Sequence, residues 1–517
     1  MGAETENQLA ALGRKMNWLS IALALAGGAV MRLWMLKDLP QIETDTLLYG
    51  SMAKNLLQYG QFAITGSDGV VHETLIRLPG YPLFLAACFK LFGVSNYTAV
   101  SYVQIALELA GCLLLAAFVR RIAPPAIREG AAHWTLWLSA LCPFTAAYAV
   151  APLTETPTLF AIALALWALA RFHARPDWGN ALWFTLAITL AALLRPDGAL
   201  LGVALAPALV LGLRRSAGEQ ASGAKAHVDS AGAGVGAKAP TYQVPTYQAP
   251  VYQPRAAALV RMGTVCVLLA LLPFGIWTAR NWRVFHLLEP LAPRYATDPG
   301  EPINPGWQRW MKTWCLDFVS TYDIYWNVPG NPLDLNKLPS RAFDSPAQRA
   351  ETVAIAAAYD DNGQDLSPEL DARFAQLAEE RVKAHPLRYY LWLPLGRMAD
   401  MWLRPRVENL NIDLDWWVYS HHYAETRFSW AYAVLNAVYL LLALAGLCFR
   451  PRYWQCMLLY LVLRSALLTT IEAPEARYTL ECFPMVFALA GIGLYGSYRK
   501  IVGAFARRKK LSSLHAQ

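Results

Sequence analysis

Charge is scarce in this 517-residue chain. Asp, Glu, Lys and Arg make up 16% of it, against about 25% in ordinary soluble proteins. With 56% hydrophobic residues, that leaves too little solubilising surface for a soluble globular fold. Cysteine is sparse as well. Of the eight cysteines, 112, 142, 266, 448, 456 and 482 fall within or at the ends of apolar segments. Cys88 lies in a short apolar stretch, and only Cys315 lies in a large polar region. No CxxC occurs, so neither a disulfide framework nor a zinc ribbon is implied. His421 and His422 have no partners at metal-ligand spacing; Asp45 and Glu155 could share a divalent ion, but two carboxylates are a thin ligand set, and no cofactor is expected. No small-residue cleavage site follows the first apolar run, which therefore reads as a retained span rather than a removed signal. The apolar segments show no internal repeat of the kind transporters often carry.

Long apolar runs are abundant. Runs of the length that crosses a hydrocarbon core at 1.5 Å per residue occur over 17–36, 97–119, 133–151, 154–172, 180–194, 197–213, 257–279, 429–449, 453–470 and 480–498. The expected fold class is therefore an all-α polytopic membrane protein of about ten transmembrane helices. The net charge of +8 does not point to nucleic acid, because the basic residues cluster beside spans. Arg14-Lys15, Arg120-Arg121, Arg171 to Arg175, Arg214-Arg215, Arg450 to Arg452 and Arg507-Arg508-Lys509-Lys510 all fall on one side when the N-terminus starts inside. That is the positive-inside pattern, and it predicts cytoplasmic termini. Proline in Arg195-Pro196-Asp197 splits 180–213 into two short spans with an outer turn.

Five regions follow. Residues 1–213 form an N-terminal transmembrane module whose first outer loop is 37–80. Residues 214–256 are rich in Ala, Gly and Ser and then repeat Tyr-Gln-x-Pro at Tyr242, Tyr247 and Tyr252; this composition cannot bury a core and reads as a disordered cytoplasmic linker. A single span, 257–279, leads to an outer domain over 280–428. Residues 429–517 form a C-terminal transmembrane module with a basic tail. Residues 81–93 and 387–403 are apolar but too short or too interrupted to cross, and are expected as interfacial helices. The outer domain is expected to be mainly helical, with helices over 346–359 and 367–384, the latter opening at Ser367-Pro368.

The residues able to carry chemistry gather on the outer side. Asp45 lies just beyond the first span, and Thr44 can cap a helix running to about Gln58. On that helix Asp45 and Tyr49 share a face. Asp45 has a plainer reading, as a complement to the helix N-terminus, and Glu43 is the second carboxylate of the segment. Arg77 precedes Pro79-Gly80-Tyr81-Pro82, and a guanidinium there suits a lipid phosphate, or simply the headgroup region. Glu155 opens a span where a carboxylate is costly, and Arg195 and Asp197 can pair with each other. Arg280 closes a span, as a phosphate ligand or an interfacial anchor. Glu472, Glu475, Arg477 and Tyr478 sit in a short outer loop. Each plain reading is adequate alone; the convergence of all these groups on one face is what favours a site.

Asp45-x-x-x-Tyr49-x-x-x-Ala53-x-x-Leu56, Arg77-x-Pro79-Gly80-Tyr81-Pro82, Thr154-Glu155, Leu194-Arg195-Pro196, Arg280-Asn281 and Arg477-Tyr478 together resemble the GT-C superfamily of polyprenyl-phosphate-sugar-dependent glycosyltransferases. The resemblance is to the branches like protein O-mannosyltransferases, the lipid A aminoarabinose transferase and Rgt-type enzymes. It covers roughly 17–285 and 429–498. It implies a bacterial inner-membrane enzyme with a periplasmic site, a polyprenyl-phosphate-linked sugar as donor, and a lipid, glycan or protein acceptor. It also implies an acidic base in the first outer loop, at Asp45, where Thr46 stands in place of the second acid of many members. Direct inverting displacement needs one carboxylate for the acceptor proton and arginines for the leaving phosphate. Arg77, Arg280 and Arg477 are the candidates for the phosphate, with Glu43, Tyr49, Tyr81, Glu155, Arg195 and Tyr478 around them. The competing classes are a transporter or flippase of a lipid-linked glycan and a non-catalytic membrane scaffold; neither needs a base at Asp45.

Overall fold

The computed structural model describes residues 18–39, 42, 44–209, 256–410, 412–414 and 422–514. Among the described residues six helices are long and apolar enough to cross a membrane: Trp18–Asp38, Tyr97–Ile122, Glu155–Ala174, Ala258–Phe285, Tyr423–Leu447 and Ala476–Arg508. Gly80–Phe92, Trp178–Leu194, Pro196–Leu209 and Trp454–Leu468 are shorter apolar helices. The chain is a multi-pass membrane protein. The run read as one span over 133–151 is instead two helices, Arg128–Ala140 and Pro143–Val150. Pro143 has no N–H to donate and its ring clashes with the carbonyl four residues back, so it ends one helix and opens the next. The other departure from an all-helical chain, among the described residues, is a small antiparallel hairpin. Its strands Ala63–Thr65 (β1) and Val71–Glu73 (β2) pair Ala63 with Glu73 and Thr65 with Val71.

The membrane core runs through Phe118, Leu166, Leu169, Tyr439, Phe483 and Phe487. An ion pair between Arg32 and Glu108 is sealed inside the bundle. Arg32 Nε donates to Glu108 Oε2 at 2.5 Å, and Arg32 Nη1 donates to the Gly28 and Ala140 carbonyls at 2.9 and 2.6 Å. The pair ties Trp18–Asp38 to Tyr97–Ile122 and Arg128–Ala140.

Two glycines set the backbone approach at the end of Trp178–Leu194. A Cβ on Gly80 would lie 2.5 Å from the Leu193 carbonyl oxygen, and one on Gly198 would lie 2.1 Å from that of Ala191. Only glycine lets the Pro79-Gly80 turn and the Pro196-Asp197-Gly198 turn pack against the end of Trp178–Leu194. Those turns carry Arg77 and Arg195.

The linker expected over 214–256 lies outside the described residues, apart from Ala256 at the start of Ala256–Phe285. Beyond that helix come Pro305–Lys312, Pro346–Asp361 and Pro368–Ala384. Trp307, Trp310, Trp314, Ile355, Tyr359 and Phe374 form their core. Such side chains contribute about 1.5–3 kcal/mol each when fully buried. Asp371 caps Pro305–Lys312, accepting from Gly306 N at 3.0 Å and Trp307 N at 2.8 Å, donors that the helix itself leaves unmatched. A π-turn over Arg388–Trp392 and the helix Leu393–Leu403 occupy the stretch expected to lie at the interface.

Candidate active site

The helix Thr44–Tyr59 begins where the sequence suggested, with Asp45 in its first turn. Met52 and Ala53 are buried on its inner face. Asp45 faces a cavity of about 1980 Å³ that opens between the ends of the apolar helices and the region that follows the helix Ala256–Phe285. Its carboxylate meets two guanidiniums from distant parts of the chain. Arg77 Nη2 donates to Oδ1 at 3.4 Å, and Arg477 Nη2 donates to Oδ2 at 3.1 Å. The Asp45 side chain is 33% exposed, Arg77 27% and Arg477 15%, so all three remain accessible. Burial opposes ionisation of Asp45, but Arg477 and Arg77 outweigh it and hold the carboxyl below its ordinary value.

Arg477 is the hub. Its Nε meets Glu475 Oε2 at 2.5 Å and lies 3.9 Å from Glu155 Oε1. Tyr478 donates its hydroxyl to Glu475 in a short bond. Arg195 Nη1 contacts Glu155 Oε1 at 3.3 Å, and the Arg195 guanidinium lies over the Tyr478 ring at 5.3 Å. Three carboxylates (Asp45, Glu155, Glu475) thus alternate with three guanidiniums (Arg77, Arg195, Arg477) along the wall.

A deeper layer fixes this arrangement. Arg195 Nε reaches Asp197 at 3.5 Å and Glu481 at 3.0 Å. Arg464 pairs with Asp197 at 2.9 Å, forms a short pair with Glu481, and donates to the Tyr478 carbonyl at 3.0 and 3.1 Å. Arg406 donates to the Ala476 carbonyl at 2.9 Å and to Thr479 Oγ1 at 2.7 Å. The turn Ala476–Cys482 is therefore gripped from two sides, which sets the Arg477 side chain.

Tyr49 also lines the cavity, with Arg77 5.9 Å from its ring centre. Tyr81 lies beneath it, edge-on at 5.0 Å, and its hydroxyl donates to Gln104 Oε1 at 2.9 Å. Tyr81 supports the wall rather than forming it. Glu43 lies outside the described residues, as does His421; His422 pairs with Glu425 at 3.3 Å.

Arg280 is not brought to the cavity. Its guanidinium donates to the carbonyls of Phe62 and Thr74, both at 2.7 Å, and sits among the rings of Phe62, Trp277 and Phe285. With its donors committed to the two residues that flank the hairpin, it clamps the segment leading to Arg77. The sequence could not distinguish these roles, because the hairpin is only three residues per strand.

Sequence reasoning missed Glu408, Arg464 and Glu481. The last two carried a usable signal, as charges inside apolar runs. Glu408 carried none. It lines the cavity, and neither of its carboxylate oxygens has a hydrogen-bond partner among the described residues. Burial pushes its carboxyl above the ordinary value, against the opposing pull of Arg406. Among the described residues no group of three or more His, Cys, Asp or Glu side chains is placed to hold a metal ion.

Residues 77–222, which include Arg77, Glu155 and Arg195, match the family model described as dolichyl-phosphate-mannose-protein mannosyltransferase. The match spans less than a third of the chain. No curated protein sequence matches it. Among solved structures, it is similar to ArnT from Cupriavidus metallidurans bound to undecaprenyl phosphate, at 14% identity over 93% of this chain and 78% of that one, with a TM-score of 0.37. The apo form of the same protein gives 13% identity over 92% and 76%, with a TM-score of 0.35. Arg77, Arg195 and Arg477 come from three separate segments of the chain, and Asp45 from the first turn of a fourth, the helix Thr44–Tyr59.

Proposed function

We propose that this protein is a membrane glycosyltransferase that moves a sugar from a polyprenyl-phosphate donor to a hydroxyl of a lipid, glycan or protein acceptor, at the outer face of the membrane. Asp45 is the base and Arg77 and Arg477 hold the donor phosphate. The observation that carries this reading is Asp45 flanked by two accessible guanidiniums in the wall of a cavity large enough for donor and acceptor together.

The step is a direct displacement with inversion. The acceptor oxygen loses its proton to an Asp45 carboxylate oxygen and attacks the anomeric carbon. The bond from that carbon to the phosphate oxygen breaks, and its electron pair stays on the phosphate. Guanidiniums fixed in advance stabilise the developing charge; a planar donor pair suits phosphate as well as carboxylate. Without donor, the same guanidiniums neutralise Asp45 and keep it a weak base. A phosphate that takes up their donors releases Asp45 from that neutralisation, so its proton affinity rises when the donor is in place. Glu155 and Glu475 are each held by arginine, and so keep Arg477 and Arg195 in position.

The test is transfer from labelled polyprenyl-phosphate sugars in membranes carrying wild type or Asp45→Asn at matched folded levels. Loss of transfer in the variant, with a product of inverted anomeric configuration from wild type, is the expected result. Undiminished transfer by Asp45→Asn would remove Asp45 as base. A retained configuration would replace direct displacement by a two-step route through a second carboxylate.

A further inference from the structure

At the end of the bundle opposite the cavity, four arginines wall a second, smaller hollow. Glu155 at the start of Glu155–Ala174 lines the large cavity, while Ala170 and Ala174 at its end line the small one. At 1.5 Å per residue the two hollows are about 22–28 Å apart, on opposite membrane faces. The small one has a volume of about 210 Å³ and is lined by Arg120, Arg121, Arg128, Arg452 and Tyr453 among others.

A bias of basic residues to one face needs them only near that face. It does not require three separate segments to turn guanidiniums into one hollow. The charges are also unbalanced. Glu129 is taken by Arg120 at 2.9 Å. Arg121 Nη1 donates to the Ala117 carbonyl one turn back. Arg128 Nε is buried and has no hydrogen-bond partner among the described residues. Arg452 lies over the Tyr453 ring at 5.0 Å.

The loop bearing Arg452 is held there against backbone preference. Arg450 and Tyr453 have φ of 44° and 67°, a region that non-glycine residues rarely occupy. Two contacts enforce it: Arg452 N donates to the Ile122 carbonyl at 2.9 Å, and the Tyr453 hydroxyl forms a short bond with His173. Strain retained by tertiary contacts is a pointer to function.

We propose that this hollow binds a phosphate-bearing anion, and that its place at the helix ends makes an anionic lipid headgroup the source. Two or more guanidiniums without carboxylate partners among the described residues match a phosphodiester in charge and donor geometry. The proposal is independent of the sugar-transfer reading, since its residues lie on the other face.

The experiment is native mass spectrometry and thermal melting of the purified full chain. Cardiolipin, phosphatidylglycerol or phosphatidylcholine is added, or inorganic phosphate at equal phosphate concentration. The variants are Arg128→Gln and Arg452→Gln, with Arg175→Gln as a control. Arg175 is an exposed arginine outside the hollow, paired with Asp177. Anionic lipid should bind and stabilise the wild type in preference to phosphatidylcholine. Each hollow variant should lose about fivefold in apparent affinity, the worth of one basic residue against anionic lipid, while the control keeps wild-type binding. Stabilisation by inorganic phosphate that Arg128→Gln loses would keep the site but make its source a soluble anion. Equal binding of anionic and neutral lipid, or an equal loss in Arg175→Gln, would overturn the proposal.

Discussion

Arg32 with Glu108, and Asp45 with Arg77 and Arg477, are both arginine–carboxylate clusters of one helical protein, and their surroundings differ completely. The first is closed off: Arg32 is 0% exposed and the Glu108 side chain 6%. Its arginine also holds two backbone carbonyls, with Nη2 alone lacking a partner among the described residues. The second faces a large cavity with a third of the Asp45 side chain open. Depth in the membrane alone therefore does not mark a charged residue as functional. Access to a cavity, together with surplus donor capacity, separates a site from a tie between helices.

Asp45→Asn and Glu108→Gln should give crossed results. Asp45→Asn is expected to lower the transfer rate by about 10²–10⁴-fold, the usual worth of a general base, with little change in melting temperature. Glu108→Gln should do the reverse. It leaves the Arg32 charge unpaired inside the bundle, at about 3–5 kcal/mol, while the folded fraction keeps its turnover. Activity normalised to folded protein, beside thermal melts, reads both. Comparable activity losses in the two variants would erase the distinction.

The comparison sharpens with the double variant Arg32→Met with Glu108→Leu. Replacing both partners of a sealed pair by apolar groups is often neutral or stabilising by 1–4 kcal/mol, so most of the stability lost in Glu108→Gln should return. No pairwise replacement of Asp45 and Arg477 should restore transfer.

Arg477→Lys should cost about tenfold in kcat/KM for the donor, equivalent to about 1.4 kcal/mol. Lysine cannot span Asp45 and Glu475 as the planar guanidinium does. Arg77→Lys should cost less, because Arg77 makes a single 3.4 Å contact with Asp45. Steady-state kinetics with donor varied at fixed acceptor would rank the two.

The smallest expected effect is on pH dependence. Burial raises the Asp400 carboxyl to about 6, against the opposing pull of Arg404. A folded-state value above that of the unfolded chain gives stability that is complete below the unfolded value, about 4, and is lost as pH rises through about 6. Tryptophan-fluorescence melts should fall modestly over that window, and Asp400→Asn should flatten the trend. Asp45 has the opposite sign. Its lowered value keeps it ionised through the same window, so protonation of Asp45 in the free enzyme should not limit transfer there.

The membrane helices were legible because the length of an apolar run is a local property, fixed by bilayer thickness and rise per residue. The helix over Thr44–Tyr59 was legible for a similar reason, from a cap followed by a periodic stripe. The break at Pro143 was readable in principle and was overridden by the continuity of the apolar run. Asp45, Arg77 and Arg477 could each be singled out from position and residue type. That Arg280 turns away to grip Phe62 and Thr74 could not, nor could the place of Glu408 in the cavity wall.

The sequence by itself determined that this chain is a helical membrane protein and which charged side chains are candidates for a site, since hydropathy and charge placement act residue by residue. Only the tertiary structure decided which of those side chains meet. Asp45 and Arg477 are 432 positions apart, and their contact depends on how the turn at Ala476–Cys482 is clamped by Arg406 and Arg464. Such contacts come from packing among distant segments, and no local pattern encodes them.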